Sequence, residues 1–200
     1  MTAVRCLIVA NVVVFALQPV FGDGLIEYFA LWPLATNAVA GPAPGPGFQL
    51  WQLVSSAFLH GNLAHIALNM FGLYMFGRDV ETVLGRRRLL NLYFAAVLSA
   101  ALLQLFVVSS AGTGVPQPTL GASGGVFGVL LAFGMLFPER RVMLLFPPIP
   151  MPAWVMVTGY ALIELATGVL GTDAGVAHFA HLGGMLGAYL MLRHYRASAA

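Results

Sequence analysis

The hydrophobic positions of this chain fall into six apolar stretches, and the polar and charged residues collect between them. A helix needs about 20 apolar residues to cross the hydrocarbon core of a bilayer, and most of the stretches approach that length. Two of them, 63–77 and 122–137, are shorter, so we expect their ends to lie below the membrane surface or within protein. The six predicted helices cover approximately residues 6–22, 63–77, 89–108, 122–137, 153–170 and 175–192.

Composition supports the same interpretation. The chain has 200 residues, of which 60% are hydrophobic and only 8% are charged, whereas soluble domains have about 25% charged residues. We therefore expect an all-α integral membrane protein with one domain over 1–200, in contact with the lipid bilayer and without a nucleic-acid partner. Cys6 is the only cysteine, which excludes an internal disulfide and a thiolate metal site.

The arginines predict the orientation of the helices. The connections 23–62, 109–121 and 171–174 contain none, so with six helices all basic residues lie on one side of the membrane. The positive-inside rule makes that side cytoplasmic, with both termini on it. If 6–22 were a cleaved signal peptide instead, five helices would remain and the termini would lie on opposite sides. The nine arginines are Arg5, Arg78, Arg86, Arg87, Arg88, Arg140, Arg141, Arg193 and Arg196.

The connection 23–62 is long for a membrane loop. Prolines alternate with glycines over residues 41–47, which rules out a continuous helix there. Trp32, Trp51 and neighbouring apolar residues are typical of the membrane interface rather than of a solvated linker. We predict a structured loop between the first two helices that lies on, or partly in, the outer leaflet.

Unusual polar residues stand near the starts of three predicted helices that run in the same direction. These are His65 and Asn69 in the second, Ser123 in the fourth, and His178 and His181 in the sixth. Polar side chains are costly in hydrocarbon, usually face the bundle interior and often mark function. We expect these groups to lie at one depth, on one side of the membrane.

Small residues flank the serine and the histidines. Gly121 and Gly124 surround Ser123, and glycines and alanines recur along the sixth helix. Such faces let two helix backbones approach closely. These small residues could serve packing alone, but the same packing would bring Ser123 and His181 together. A serine within hydrogen-bond reach of a histidine is the minimal activated nucleophile.

The start of a helix also suits the charge that acyl transfer creates. Free N–H groups and the positive end of the helix dipole point toward Ser123, where they would stabilise an oxyanion. His65 and Asn69 share one helix face and could donate to the same oxygen, or they could only join helices. Gly121–Gly125 also matches G-x-S-x-G, but that motif requires a preceding strand and a soluble α/β sheet.

Taken together, three motifs resemble those of the rhomboid intramembrane serine proteases. They are HGNLAHIALNMFGLYMFGRDVE with His65 and Asn69, GASG at Gly121–Gly124, and AHFAHLGGMLG around His181. The resemblance extends from about Trp51 to Leu192 in the family's order. It implies a six-transmembrane-helix bundle whose active site opens to the outer face.

The resemblance also implies roles for individual residues. Ser123 would be the nucleophile and His181 the general base and acid, with no aspartate. The oxyanion hole would comprise His65, Asn69 and the Ser123 backbone N–H, and no metal or cofactor is needed. Phe127 would pack on the catalytic histidine, at a position where tyrosine is frequent.

Some positions depart from the family pattern or have no clear role in it. Gln52 stands where arginine usually follows Trp51, so its role is open. We expect His178 to be structural or tuning. Glu164, the only acidic residue well inside a predicted helix, is expected to hold its helix to the second one by a hydrogen bond. The family's moving parts would be that fifth helix and the loop 171–176.

The function that these patterns favour is hydrolysis of peptide bonds in or near transmembrane segments of other membrane proteins. One alternative is a catalytically inactive rhomboid-like protein that binds membrane proteins, although such relatives usually lack the serine or the histidine. Another is a small transporter or channel, against which there is no inverted repeat. The lack of a long extra-membrane domain or transit peptide predicts a prokaryotic inner membrane. Oligomeric state is not predicted.

Overall fold

The computed structural model describes residues 1–34, 47–111, 117–143, 148–171 and 177–198. Most of these residues are helical, and a short antiparallel hairpin pairs β1, Arg141–Met143, with β2, Pro150–Pro152. A single 3-10 turn covers Ser56–Phe58. The helices are α1 (Ala3–Phe21), α2 (Asp23–Phe29), α3 (Gln52–Ser55), α4 (Leu63–Ala111), α5 (Ser123–Leu136), α6 (Ala153–Leu170) and α7 (His178–Ala197).

Three helices of the described residues are long and apolar enough to cross a membrane. They are Ala3–Phe21, Leu63–Ser110 and Ala153–Leu170, and Ser123–Leu136 is a shorter apolar helix. The prediction of a mainly helical membrane protein is confirmed at this level. The residues predicted to break the long loop, Pro42, Pro44 and Pro46, and most of the loop 171–176 lie outside the described residues.

The range α4 comprises the second and the third predicted helices, which meet at one non-helical residue without the longer connection expected between them. The basic connection expected between 77 and 89 is helical except at Gly85, whose φ of 76° and ψ of 163° interrupt the helix. Arginine and glutamate are good helix formers, so this charged segment stays helical. Glycine adopts positive φ without the steric cost of a Cβ, and one residue therefore separates the segments 63–84 and 86–111.

At one end of the molecule, hydrogen bonds and an ion pair join the segments that carry the arginines. The carboxylate of Glu81 accepts hydrogen bonds from the backbone N–H groups of Ala3 (2.6 Å) and Val4 (3.1 Å), which satisfies donors at the start of α1. Arg140 forms a 2.8 Å ion pair with Asp79. The hydroxyl of Tyr195 donates to the carbonyl of Arg88 at 3.0 Å. The first residues of α4, α5 and α7, where their polar side chains lie, are away from this cluster.

Small residues allow α5, α7 and the second segment of α4 to pack at backbone distance. A Cβ added to Gly128 would lie 2.9 Å from the carbonyl oxygen of Gly184, and one added to Gly187 would lie 2.6 Å from that of Ala95. Real Cβ atoms do not approach backbone oxygen so closely, so side chains larger than hydrogen would separate these helices. The contact aligns the beginnings of α5 and α7.

Hydrogen bonds tie the segment between α1 and α4 to the rest of the fold. Gln52 is 1% exposed, and its carbonyl oxygen accepts from the backbone N–H groups of Trp32 and Gln49. Its amide donates to the carbonyl of Tyr28 at 3.3 Å. Position 52 thus cross-links the loop in this chain. Leu31 and Thr119 exchange two backbone hydrogen bonds of 2.9 Å, which anchor the loop just before α5.

Candidate active site

Ser123 and His181 meet where α5 and α7 begin. Ser123 is the first residue of α5, and His181 lies one turn into α7. The serine Oγ is 2.8 Å from Nε2 of the histidine, which is hydrogen-bond distance for a nucleophile and its base. The sequence prediction that these two side chains meet is therefore matched by the geometry, and the backbone packing of α5 against α7 explains it.

Phe127 packs against the face of the His181 imidazole. It lies one turn after Ser123 on α5, and its ring stacks on His181 with centroids 4.2 Å apart and planes at 4°. The ring of Tyr160, from α6, meets Phe127 edge-on at 6.2 Å. The imidazole is thereby held in one plane, with its Nε2 edge toward Ser123.

Gly121 makes room for the imidazole of His65. Its φ is 129°, and a Cβ there would lie 2.7 Å from Cε1 and Nε2 of His65. Its N–H donates to the carbonyl of Ser56 at 2.9 Å, which holds this irregular turn in place. Glycine is required at this position both by the backbone conformation and by the ring beside it. The absence of a side chain lets His65 lie next to Ser123.

Among the described residues, His65 and Asn69 each keep one side-chain hydrogen that no partner accepts. The backbone N–H of Gly61 points at Nδ1 of His65 from 3.4 Å, so Nδ1 is the acceptor and Nε2 carries the hydrogen in the neutral ring. The amide of Asn69 donates one hydrogen to the carbonyl of His65 at 2.9 Å and retains a second. Both donors belong to the first turns of α4.

The beginning of α5 supplies further donors. The first α-helical hydrogen bond of this helix joins the N–H of Val126 to the carbonyl of Ala122. The N–H groups of residues 123–125 precede it and have no partner within the helix. They point along the helix axis toward the turn at Gly121, as the positive end of the helix dipole does.

A small cavity of about 30 Å³ adjoins Ser123. Polar groups in its wall come from Ser56, Gln104 and Thr119, and the amide of Gln104 donates to the hydroxyl of Thr119 at 3.3 Å. The rest of the wall is mostly apolar, and the volume is enough for one water molecule beside these polar groups.

His60 is a site residue that the sequence interpretation did not single out. Its side chain is 1% exposed, and its ring lies edge-on to those of His65 (5.1 Å) and Phe15 (6.3 Å). Burial, and next the proximity of His65, lower the pKa of His60 from 6.5 to about 4. The signal was present, because His60 opens the HGN motif, but spacing alone does not distinguish a ring that packs from one that reacts.

Glu164 does not hold α6 to α4 as predicted. Its Oε2 lies 2.6 Å from Nδ1 of His178 and 3.0 Å from Nδ1 of His181, so its partners are on α7. The periodicity of an apolar helix shows which residues share a face, but the neighbour of that face is decided by packing. His178, expected to be structural or tuning, therefore joins Glu164 to the helix that carries His181.

The chain is similar in sequence to one described domain family and to several known proteins. A family model described as the rhomboid domain matches residues 47–197. The mitochondrial rhomboid protein 1 of Saccharomyces cerevisiae is 34% identical over 137 residues, which are 67% of this chain and 38% of the yeast protein. The human mitochondrial presenilin-associated rhomboid-like protein is 33% identical over 189 residues, covering 90% of this chain and 45% of the human one.

A plant relative extends the same comparison. The mitochondrial RHOMBOID-like protein 12 of Arabidopsis thaliana is 31% identical over 193 residues, 89% of this chain and 54% of that protein. The chain thus spans about half the length, or less, of these relatives.

The predicted location is wrong on this comparison. A prokaryotic inner membrane, with cytoplasmic termini, is not supported, because the relatives are mitochondrial proteins by name. The physical reason is that apolar length and arginine placement specify a bilayer and the two sides of it. They do not specify which membrane of which cell or organelle contains the helices.

Proposed function

The chain belongs to the rhomboid family, and from that premise we propose that it is an intramembrane serine endopeptidase. The observation that carries the proposal is the 2.8 Å separation of Ser123 Oγ from His181 Nε2. A hydroxyl at that distance from an imidazole is ready to lose its proton as it attacks a carbonyl. In the proposal Ser123 is the nucleophile and His181 is the general base and acid.

The proposed reaction has two steps. Ser123 Oγ attacks the peptide carbonyl carbon while Nε2 of His181 takes the hydroxyl proton. The tetrahedral intermediate then expels the amine, to which His181 returns the proton, and an acyl-enzyme remains. A water molecule then attacks the ester while His181 takes its proton. The second tetrahedral intermediate expels Ser123 Oγ, His181 returns the proton to that oxygen, and the acid is released.

The proposed oxyanion hole comprises three donors around the same oxygen. They are the N–H of Ser123, Nε2–H of His65 and the remaining amide hydrogen of Asn69. Support comes from the Gly61 contact that leaves Nε2 of His65 as a donor. Donors that are already oriented stabilise developing charge without reorganisation, and each such donor contributes about 10²–10³ in kcat.

The proposed architecture is the family's six-helix bundle in one domain over 1–200. Its members would be α1, the two segments of α4, α5, α6 and α7. The loop between α1 and α4 would lie partly in the membrane, a prediction supported by the exposed side chain of Trp51.

The proposed substrates are transmembrane segments of other membrane proteins. Backbone in a helix is hydrogen-bonded to itself, so a peptide bond must leave the helix before it reaches Ser123. Small or helix-breaking residues near the cleaved bond would lower that cost, because glycine and proline disfavour helix by about 1 and 3 kcal/mol.

The test is cleavage of a single-pass substrate by the purified protein in liposomes. Ser123→Ala and His181→Ala should abolish cleavage. Ser110→Ala, on α4, and His194→Ala, at the opposite end of α7, are matched controls whose side chains are exposed; both should retain wild-type rates. Retention of cleavage by Ser123→Ala would refute the proposal.

A second measurement separates an enzyme from an inactive binding relative. A fluorophosphonate probe should label the wild type at Ser123 and should not label Ser123→Ala. Wild-type protein that binds transmembrane peptides but is neither labelled nor active would support the binding relative instead.

A further inference from the structure

A buried carboxylate lies beside the dyad. Glu164 is 8% exposed in the middle of α6, a helix apolar enough to cross a membrane. An ionisable side chain within a membrane helix is expensive and usually has a specific partner. The partners here are the two histidines in the first turn of α7, so the carboxylate faces the reacting groups rather than lipid.

Glu164 is held by more than one contact. Oε2 lies 2.6 Å from Nδ1 of His178, and the hydroxyl of Thr167, one turn further along α6, lies 3.0 Å from the same nitrogen. Gly168 allows this approach, because a Cβ there would be 3.0 Å from the Cβ of His178. The carboxylate therefore has a defined position before any substrate binds.

The same oxygen lies 3.0 Å from Nδ1 of His181. Because Nε2 of His181 must accept the proton of Ser123, the neutral ring must carry its hydrogen on Nδ1. That hydrogen belongs to the nitrogen facing Glu164. The contact is not aligned as a hydrogen bond, and such contacts at active sites often align only when substrate is bound.

We propose that Glu164 is a positioning residue that keeps His181 in the Nδ1–H tautomer and stabilises the imidazolium formed as Ser123 attacks. This inference rests on the proposed function. It adds to the Ser–His dyad a carboxylate with the role that aspartate plays in a serine–histidine–aspartate triad. The proton remains on the imidazole throughout, and Glu164 forms no bond with the substrate.

The spacing of Glu164, His178 and His181 suits hydrogen bonds between these side chains better than coordination of one metal ion. Zinc ligands lie about 2.0–2.2 Å from the metal, so in tetrahedral geometry their atoms are roughly 3.3 Å apart. The 2.6 Å between Glu164 Oε2 and His178 Nδ1 is shorter than that. It is a short hydrogen-bond distance, just below the range of about 2.7–2.9 Å for charge-assisted N–H···O bonds.

The discriminating variant is Glu164→Gln. Glutamine keeps an oxygen that can accept from His178, so a residue that only clamps α6 to α7 should tolerate it. Loss of the negative charge should lower kcat by about 10- to 100-fold with little change in KM, a smaller effect than removal of the triad aspartate, which costs about 10⁴. Glu164→Asp, which keeps the charge, should recover part of the lost rate.

The pH dependence of kcat/KM tests the positioning role, because a residue that only joins α6 to α7 would leave it unchanged. Within the described residues, the titratable groups near His181 are Glu164 on α6, His65 on α4 and His178 on its own helix. Glu164→Gln removes the negative charge that lies 3.0 Å from Nδ1 of His181. The acid limb of kcat/KM should therefore move to lower pH in Glu164→Gln but stay in place in Leu165→Ala, an exposed neighbour on α6.

The controls separate failure of this inference from failure of the proposed function. Activity in the wild type and its absence in Ser123→Ala establish the enzyme, and an unchanged kcat and pH profile in Glu164→Gln would then overturn the positioning role alone. If that variant does not fold, the ¹⁵N chemical shifts of His181 in the labelled wild type decide. A resting enzyme with the hydrogen on Nδ1 supports the proposal, and one with it on Nε2 contradicts it.

Discussion

Phe127 lies flat against the imidazole of His181, with ring centroids 4.2 Å apart and an angle of 4° between the planes. The two residues belong to different helices, so the stack depends on the packing of α5 against α7. It restricts the imidazole to the plane in which Nε2 faces Ser123.

Replacement of Phe127 should therefore affect turnover. An aromatic pair contributes about 0.5–1.5 kcal/mol beyond its buried area, so we expect Phe127→Ala to lower kcat by roughly 3- to 10-fold. Phe127→Tyr retains the ring and should keep nearly wild-type activity. Initial rates of peptide cleavage in liposomes provide the measurement. Equal loss in both variants would show that the stacked ring is not the relevant feature.

Asn69→Ala tests the oxyanion hole. Loss of its free amide hydrogen should reduce kcat by about 10²–10³ with a small change in KM, because the donor acts on charge that develops only in the transition state. The thermal midpoint should fall modestly, since the bond to the His65 carbonyl is also lost. Asn91→Ala, an exposed position in the second segment of α4, is the control. Comparable losses in both variants would contradict a role for Asn69 in the oxyanion hole.

Gly121→Ala should separate His65 from the dyad. The new Cβ would meet the His65 ring at 2.7 Å, in a backbone conformation with φ of 129°. Strain of this kind costs about 1–3 kcal/mol, and displacement of the ring should lower kcat more than tenfold. Gly159→Ala, within α6 and with nothing within 4 Å, should keep its activity and unfold at a slightly higher temperature. Full activity in Gly121→Ala would contradict the close packing of His65.

His60 should make the stability of the fold depend on pH. Its pKa is about 4 in the folded protein and 6.5 when exposed, so the unfolded chain binds more protons between these values. Stability from this group is present above pH 6.5 and is lost as the pH falls toward 4. In detergent, the thermal midpoint of the wild type should fall between pH 6.5 and pH 4 by more than that of His60→Leu, which has no group at this position that titrates there. His194→Leu, which removes an exposed histidine, should follow the wild type; parallel curves for His60→Leu would refute the assignment.

The residues of the proposed site stand out in the sequence. Ser123, His65 and His181 each stand near the start of an apolar stretch, where a polar side chain has few structural reasons to be. Glycines beside Ser123 indicated that its helix could approach another closely. The partners of Glu164 on α7 and the contact of His60 with Phe15 on α1 were not visible, because they depend on how separate helices pack.

The extent of α4 shows a different limit. The charged segment 78–88 was expected to be a connection, yet it is helical on both sides of Gly85. Charge indicates that a segment leaves the bilayer and does not indicate that it leaves the helix. A residue with good helix propensity can satisfy its backbone hydrogen bonds in water or at the interface equally well.

The sequence by itself determined a helical membrane protein and which polar side chains stand at helix starts, because these depend on local hydrophobicity and on spacing along one helix. The family was indicated by the resemblance of three motifs. Tertiary structure alone decided that Oγ of Ser123 and Nε2 of His181 lie 2.8 Å apart and that Glu164 faces α7 instead of α4. Those relationships join residues 58 and 17 positions apart in the chain. They depend on how closely glycine-lined helices pack, and no local pattern specifies that distance.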